Sequence, residues 1–143
     1  MTEVAFHFGA PDKLDYVCRL LRKATGRGAK VVVLGPQSHM QQLDAKLWGL
    51  SPTDFLAHSL DGGALQARSP VVLTTALHAG LAEHGVLVNL TDAVPEGFAQ
   101  FERVIEVVST DEADRSVARG RWRQYAQQGI RIQKHDLNLR GAG

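Results

Sequence analysis

Apolar and polar positions along the chain follow two different periods, which predict strands and helices in turn. Residues 3–8, EVAFHF, place apolar side chains at every second position, as in a strand with one covered face. The apolar run VVVL at 31–34 does not alternate, which is typical of a strand covered on both faces of a parallel sheet. Further strands are predicted at 71–74, 86–90, 103–108 and 130–133.

Apolar residues at three- and four-residue steps predict helices between these strands. The buried face of the first helix is predicted to carry Leu14, Val17, Cys18 and Leu21. Further helices are predicted after Gly35-Pro36, briefly between 92 and 101, and over 111–128. In the last of these, the residues expected to face the core are Val117, Ala118 and Tyr125. Residues 51–70 are rich in turn-forming residues and are predicted to be a loop.

The alternation of strands and helices runs from one end of the chain to the other. This order predicts an α/β fold with three α/β/α layers around a mostly parallel central sheet, Rossmann-like without a nucleotide site. The length of 143 residues is typical of one domain. We therefore predict a single domain over residues 1–143, with about residues 135–143 as a loose tail.

Net charge, cysteine count and the lack of long apolar runs indicate where the protein works and which partners it can attract. The formal net charge is +1, so any attraction for acidic molecules must come from a local patch. Cys18 is the only cysteine, which excludes a disulfide within the chain. The first residues lack the order of a signal peptide, and no run approaches the roughly 18 apolar residues that span a bilayer. A cytoplasmic protein that does not enter the membrane is expected.

The familiar catalytic and cofactor motifs are missing from the sequence. The turn after the strand at 31–34 reads GPQSHM, which matches neither phosphate-binding glycine pattern. A G-x-S-x-G elbow is absent, and the six histidines are scattered without metal-ligand spacing. We expect no catalytic residues, no metal and no cofactor. A small α/β enzyme remains the less favoured alternative.

The last predicted helix carries a basic stripe that borders an indole. At 100° per residue, one side of this helix presents Arg115, Arg119, Trp122 and Arg123. Arginine can hold a carboxylate with two parallel hydrogen bonds, and the indole adds an apolar wall, so the stripe suits an acidic, partly aromatic peptide. Two alternatives stay open: a solvated helix face with Trp122 in the core, and direct binding of single-stranded nucleic acid.

A second candidate surface lies in KLWGLSPTDF, residues 46–55. Trp48 and Phe55 flank a turn that contains proline and follows the second predicted helix. Large aromatic side chains beside a loop are enriched at protein interfaces. They are equally common in cores, and the residues alone leave both interpretations open.

Four segments resemble the chi subunit family of bacterial DNA polymerase III. They occur in the order of the family and cover nearly the whole chain, whereas residues 61–85 diverge from the family pattern. The four segments are AFHF, LDAKLWGLSPTDFLAH, VLVNLTDAVPEGFAQFERVIEVV and ARGRWRQYAQQGI. The resemblance implies an α/β/α fold without nucleotide binding and without intrinsic activity. It also implies an accessory role at the clamp loader during DNA replication, at the fork in the bacterial cytoplasm, with only indirect contact to DNA.

The resemblance implies two protein partners and assigns residues to each. The acidic C-terminal tail of single-stranded DNA-binding protein, which ends in a phenylalanine carboxylate, docks on the last helix in the family. Arg119 matches the family's critical arginine, Arg115 a basic residue one turn earlier, Arg123 a lysine and Trp122 a tyrosine.

The second implied partner is the psi subunit of the polymerase. The family surface that faces psi uses a tryptophan and a phenylalanine, which match Trp48 and Phe55. In relatives this surface also engages a helicase-like protein. Together the two surfaces predict a bridge between the clamp loader and protein-coated DNA.

Overall fold

The computed structural model describes residues 2–48, 58–60, 70–78, 81 and 84–137, and these form seven strands and three α-helices. The elements are β1 (Glu3–Ala10), α1 (Lys13–Gly26), β2 (Val31–Leu34), α2 (Gln37–Trp48), β3 (His58–Leu60), β4 (Val71–Thr74), β5 (Val86–Asn89), β6 (Arg103–Ser109), α3 (Glu112–Gln127) and β7 (Arg131–Asp136). Within this described part, no helix is long and apolar enough to cross a bilayer.

The strands form one sheet in the order β3-β4-β2-β5-β6-β1-β7. All the described strand pairs are parallel, which confirms the sheet predicted from the sequence. Parallel strands need crossover connections. Helices α1, α2 and α3 lie on the connections from β1 to β2, from β2 to β3 and from β6 to β7, which join strands that are not neighbours in the sheet. Strands β1, β6 and β7 lie side by side, so their carboxyl ends share one edge of the sheet.

Two apolar clusters lie on opposite faces of the sheet and produce the three layers. Successive strand residues point to opposite faces, so Val31 and Val33 join one cluster while Val32 and Leu34 join the other. Helices α1 and α2 cover the first cluster, through residues such as Leu21. Helix α3 covers the second. The predicted α/β/α architecture is thereby confirmed.

Tertiary pairing changed several predicted element bounds. The predicted loop 51–70 contains the short strand β3, which forms by pairing with β4. Strand β7 continues to Asp136, beyond the predicted end at 133, because it pairs with β1 as far as Phe8. His135 and Asp136 therefore belong to the sheet and not to a loose tail, while residues 138–143 lie outside the described part. The short helix expected within 92–101 is a 3-10 turn at Phe98–Gln100.

Helix α3 buries a different set of residues from the one expected. Ala118 and Tyr125 are buried as predicted, whereas Val117 is 41% exposed, so its placement in the core was wrong. Arg121 is buried in its stead. The reason is a specific polar partner in the sheet, which a hydrophobic pattern does not reveal.

Candidate functional site

A buried polar cluster attaches α3 to the sheet and thereby sets the position of its basic residues. The Glu106 carboxylate, on β6, accepts hydrogen bonds from three side chains. Arg121 Nε lies 3.0 Å from Oε1, and Asn89 Nδ2 and the Tyr125 hydroxyl lie 2.8 Å and 2.7 Å from Oε2. Asn89 is also the register partner of Glu106 across β5 and β6. Two residues of α3 are therefore held by one carboxylate.

Burial sets the electrostatics of this cluster. Burial raises the pKa of the Glu106 carboxyl above its ordinary value, although Arg121 and the hydrogen bonds from Asn89 and Tyr125 act in the opposite direction. Burial and the nearby Glu106 carboxylate also raise the pKa of the Tyr125 hydroxyl. Removing the charged groups of Glu106 and Arg121 from water is costly, and the buried carboxylate is neutralised only when the Arg121 guanidinium is in place.

The first turn of α3 has its own anchor. The Ser109 backbone N–H donates to Asp114 Oδ2 over 2.8 Å, and Lys13 Nζ lies 3.3 Å from the same oxygen. Burial alone would raise the pKa of Asp114, but the Ser109 hydrogen bond and the Lys13 charge outweigh burial and hold that pKa below its usual value. The carboxylate also lies at the helix N-terminus, where negative charge is stabilised by the helix dipole.

A groove of about 270 Å³ opens beside the first half of α3. It lies at the carboxyl ends of β1, β6 and β7, where open parallel sheets commonly bind their ligands. Its lining residues are Phe8, Gly9, Ser109, Thr110, Arg115, Arg119, Lys134 and Asp136. We call this the α3 groove.

A backbone irregularity shapes the inner end of the α3 groove. Gly9 has a φ of 88°, a conformation that L side chains rarely adopt. The register between β1 and β6 shifts between Phe8 and Ala10, so β1 carries a bulge at this point. A glycine at this position lets the strand bend where the groove begins.

Two arginines and a lysine bring positive charge to the α3 groove. Arg119 Nη2 lies 2.8 Å from Glu112 Oε1, and Arg115 Nη1 lies 3.7 Å from Glu112 Oε2. The hydrogen bond from Arg119 lowers the pKa of Glu112. The two arginine side chains are 52% and 51% exposed, and ion pairs this exposed contribute little stability. Both guanidinium groups can therefore turn to a carboxylate that enters the groove.

Phe8 forms the aromatic wall of the α3 groove, and other rings pack against it. Trp122 packs on Phe6 and Phe8, with ring centroids 5.0 Å and 6.3 Å apart. Phe8 lines the groove directly, and Lys134 Nζ lies 5.6 Å from the centroid of its ring. Trp122 is half-buried. The sequence left open whether its indole forms an exposed wall for a peptide or packs in the core, and the observed burial lies between these two alternatives.

The structure brings together only part of the predicted stripe. Arg115 and Arg119 line the α3 groove, Trp122 supports it from behind Phe8, and Arg123 is exposed but does not line it. Sequence reasoning missed Lys134, because the strand that carries it was predicted to end at residue 133.

Sequence reasoning also missed the buried pair formed by Glu106 and Arg121. One signal could have revealed it, since Glu106 is the one charged residue in the apolar run VIEVV. A charge at such a position needs a buried partner.

The second predicted surface is only partly described. Trp48 is the last residue of α2, but its side chain lies outside what the structure describes, and Phe55 lies wholly outside the described residues. Their assignment to a partner interface stays a prediction.

Comparison with known proteins identifies the family. The model of the family described as "DNA polymerase III chi subunit, HolC" matches residues 1–133. The chain is 34% identical over 131 residues to the DNA polymerase III subunit chi of Pseudomonas aeruginosa, which covers 87% of each protein. It is 30% identical over 113 residues to the protein of the same name from Haemophilus influenzae, covering 78% of each.

A solved structure shares the fold without close sequence similarity. The C-terminal domain of the DEAD-box protein Dbp5 aligns with a TM-score of 0.60 at 13% identity, covering 95% of this chain and 91% of that domain. At this identity the likeness concerns the fold alone. The family match and the two relatives carry the assignment: this chain belongs to the DNA polymerase III chi subunit family, and its role is that of an accessory subunit in DNA replication.

Proposed function

We propose that this protein is a non-catalytic bridge within the polymerase. One surface binds the acidic C-terminal tail of single-stranded DNA-binding protein, and the other joins a psi-type subunit of the clamp loader. The tail would occupy the α3 groove. The psi-type subunit would contact the surface around Trp48 and Phe55.

The convergence of Arg115, Arg119 and Lys134 on one groove carries the first half of the proposal. These residues come from α3 and β7, and their charges suit the terminal carboxylate and acidic side chains of a tail. Phe8, supported by Trp122, supplies an apolar surface for a terminal phenylalanine ring. Aromatic rings in such contacts add about 0.5–1.5 kcal/mol beyond the area they bury.

Glu112 limits the affinity that this groove can reach. It holds Arg119 and Arg115 before a tail arrives, so an incoming carboxylate must replace an existing ion pair. Each contact is therefore modest and falls with salt, because exposed charges are screened within about 8–10 Å near physiological ionic strength. Many tails on one coated DNA strand would raise the effective affinity through avidity.

Calorimetry with an acidic peptide that ends in phenylalanine tests the tail site. We expect Arg119→Ala to weaken binding by about 1–3 kcal/mol, the range for a lost charge-assisted hydrogen bond. The same peptide with a C-terminal amide should bind the unaltered protein more weakly. Arg131→Ala is the matched control, because this arginine is 76% exposed on β7 and lies outside the α3 groove. Equal affinities for Arg119→Ala and the unaltered protein would reject the site.

The partner site around Trp48 and Phe55 rests on the family resemblance. Trp48→Ala should release a purified psi subunit in a pull-down while leaving peptide binding in the α3 groove intact. Loss of both interactions together with the fold, seen by circular dichroism, would show that Trp48 is a core residue instead.

Two other functions make different predictions. A direct single-strand DNA binder would retain a naked oligonucleotide without any partner protein, and the net charge of +1 weighs against this. A small α/β enzyme would need convergent catalytic groups in a pocket. The α3 groove instead presents exposed cations, which favours binding over catalysis.

A further inference from the structure

A second and larger groove, of about 1090 Å³, lies on the other face of the sheet. It runs between α1 and strands β6, β1 and β7. Ala5 and His7 of β1 line it, whereas Phe6 and Phe8 point to the face that carries α3. We call it the α1 groove. The sheet lies between the two grooves, and Gly9 is the one described residue that lines both.

Positive charge follows the rim of the α1 groove. Arg19 and Lys23 of α1 and Arg27 at its C-cap line it at four-residue steps, so they form a row along one side of this helix. Arg103 lines the groove from the start of β6. All four side chains are exposed, and none has an ion-pair partner within the described residues. No Asp or Glu is among the described lining residues.

The floor of the α1 groove is mainly aliphatic. Leu20, Ala24, Val86 and Leu137 line it as partly buried residues, together with the buried Ile105. The Tyr16 hydroxyl, at one side, is already hydrogen-bonded to the imidazole of His7. An apolar floor below a row of cations is complementary to an amphipathic segment whose polar side is acidic.

We infer that the α1 groove docks an acidic amphipathic helix of a partner protein. Its apolar side would cover the aliphatic floor, and carboxylates repeated at about four-residue steps would meet Arg19, Lys23 and Arg27. The residues of this chain after Leu137 read NLRGAG and carry an arginine and no acidic side chain, so they do not supply the complementary charge. Single-stranded nucleic acid fits less well, because Tyr16 is the one phenol or phenyl ring among the described lining residues.

A synthetic peptide of about 18 residues, long enough to be helical in water, serves as the probe. It carries glutamate at every fourth position beside a stripe of leucine, and a scrambled peptide of the same composition controls for charge alone. Fluorescence anisotropy of the labelled peptide measures binding. We expect saturable binding of the patterned peptide, at least several-fold tighter than that of the scrambled one.

Charge reversal locates the binding. Lys23→Glu/Arg27→Glu should weaken binding of the patterned peptide about 10-fold, since two surface ion pairs with its carboxylates would be replaced by repulsion. The matched control is Arg22→Glu/Lys30→Glu, which makes the same change in net charge at exposed positions that do not line the groove. This control should change the affinity by less than about 2-fold, because neither side chain lines the groove and neither can pair directly with the bound peptide.

Two further outcomes separate this inference from the proposed tail site. Arg119→Ala should leave binding of the amphipathic peptide unchanged, whatever it does to the acidic tail peptide. Equal weakening by the two charge-reversed pairs would overturn the α1 site, as would absence of saturable binding up to ~1 mM. Displacement of the peptide by an oligothymidine strand would favour nucleic acid as the occupant and would likewise overturn the inference.

Discussion

The buried ion pair between Arg121 and Glu106 provides the sharpest test of how the sheet positions α3. Arg121 is 3% exposed and Glu106 is 0% exposed, so Arg121→Met would leave a carboxylate in the core with only the neutral donors of Asn89 and Tyr125. Breaking a buried pair in this way costs about 3–5 kcal/mol. Because burial already raises the pKa of Glu106, partial protonation relieves some of this cost. We expect a loss of about 3 kcal/mol at neutral pH.

Urea denaturation followed by circular dichroism measures this loss, and the double variant Arg121→Met/Glu106→Gln is the control. The double variant should recover most of the stability, because no buried charge is left without a partner. In thermal unfolding, the melting temperature of the single variant should fall by about 6–12 °C, because each kcal/mol shifts it by about 2–4 °C at this chain length.

The pH dependence has a definite sign. Without Arg121, the pKa of Glu106 in the folded state lies even further above its unfolded value, so the folded state binds more protons. The stability of Arg121→Met relative to the unaltered protein should therefore be greatest at low pH and should fall as the pH rises through the folded-state pKa of Glu106. A loss below about 1 kcal/mol at neutral pH, or a double variant no more stable than the single one, would refute the reasoning.

Three further predictions concern the surroundings of the α3 groove. Asp114→Asn should lower the free energy of unfolding at pH 6, measured by urea titration. The difference from the unaltered protein should vanish as the pH falls below about 4, because a carboxyl with a lowered folded-state pKa stabilises the fold only while it is ionised. Trp122→Ala should lower the free energy of unfolding in urea by about 2–3 kcal/mol, because it uncovers Phe6 and Phe8. Trp122→Phe should lower it much less, and equal losses for the two variants would contradict the packing role. Gly9→Ala should cost about 1–2 kcal/mol, because alanine is strained at a φ of 88°, and an unchanged melting temperature would contradict this.

Much of the fold could be predicted because it depends on local pattern. The run at 31–34 is apolar at every position, and such a segment has few stable arrangements other than a strand covered on both faces. The α1 face that carries Leu21 repeats with helical spacing and packs as predicted. Strand β3 was missed because its three residues are held by pairing with β4 and carry no strong local signal.

The candidate site could be predicted only in part. Arg115 and Arg119 lie one helical turn apart, so their shared side follows from the helix period alone. Lys134 and Phe8 join them only because β7 pairs with β1 in one particular register. A period within a single element contains no information about which strand becomes its neighbour.

The sequence by itself determined the alternation of strands and helices over residues 3–48 and 103–136, the family and the presence of a basic last helix, because these depend on residue types and short spacings. Only the tertiary structure decided which cations share a groove, that Trp122 rests on the sheet, and that Arg121 turns inward to Glu106. Those outcomes depend on contacts between residues far apart in the chain, where burial and charge balance outweigh local preference.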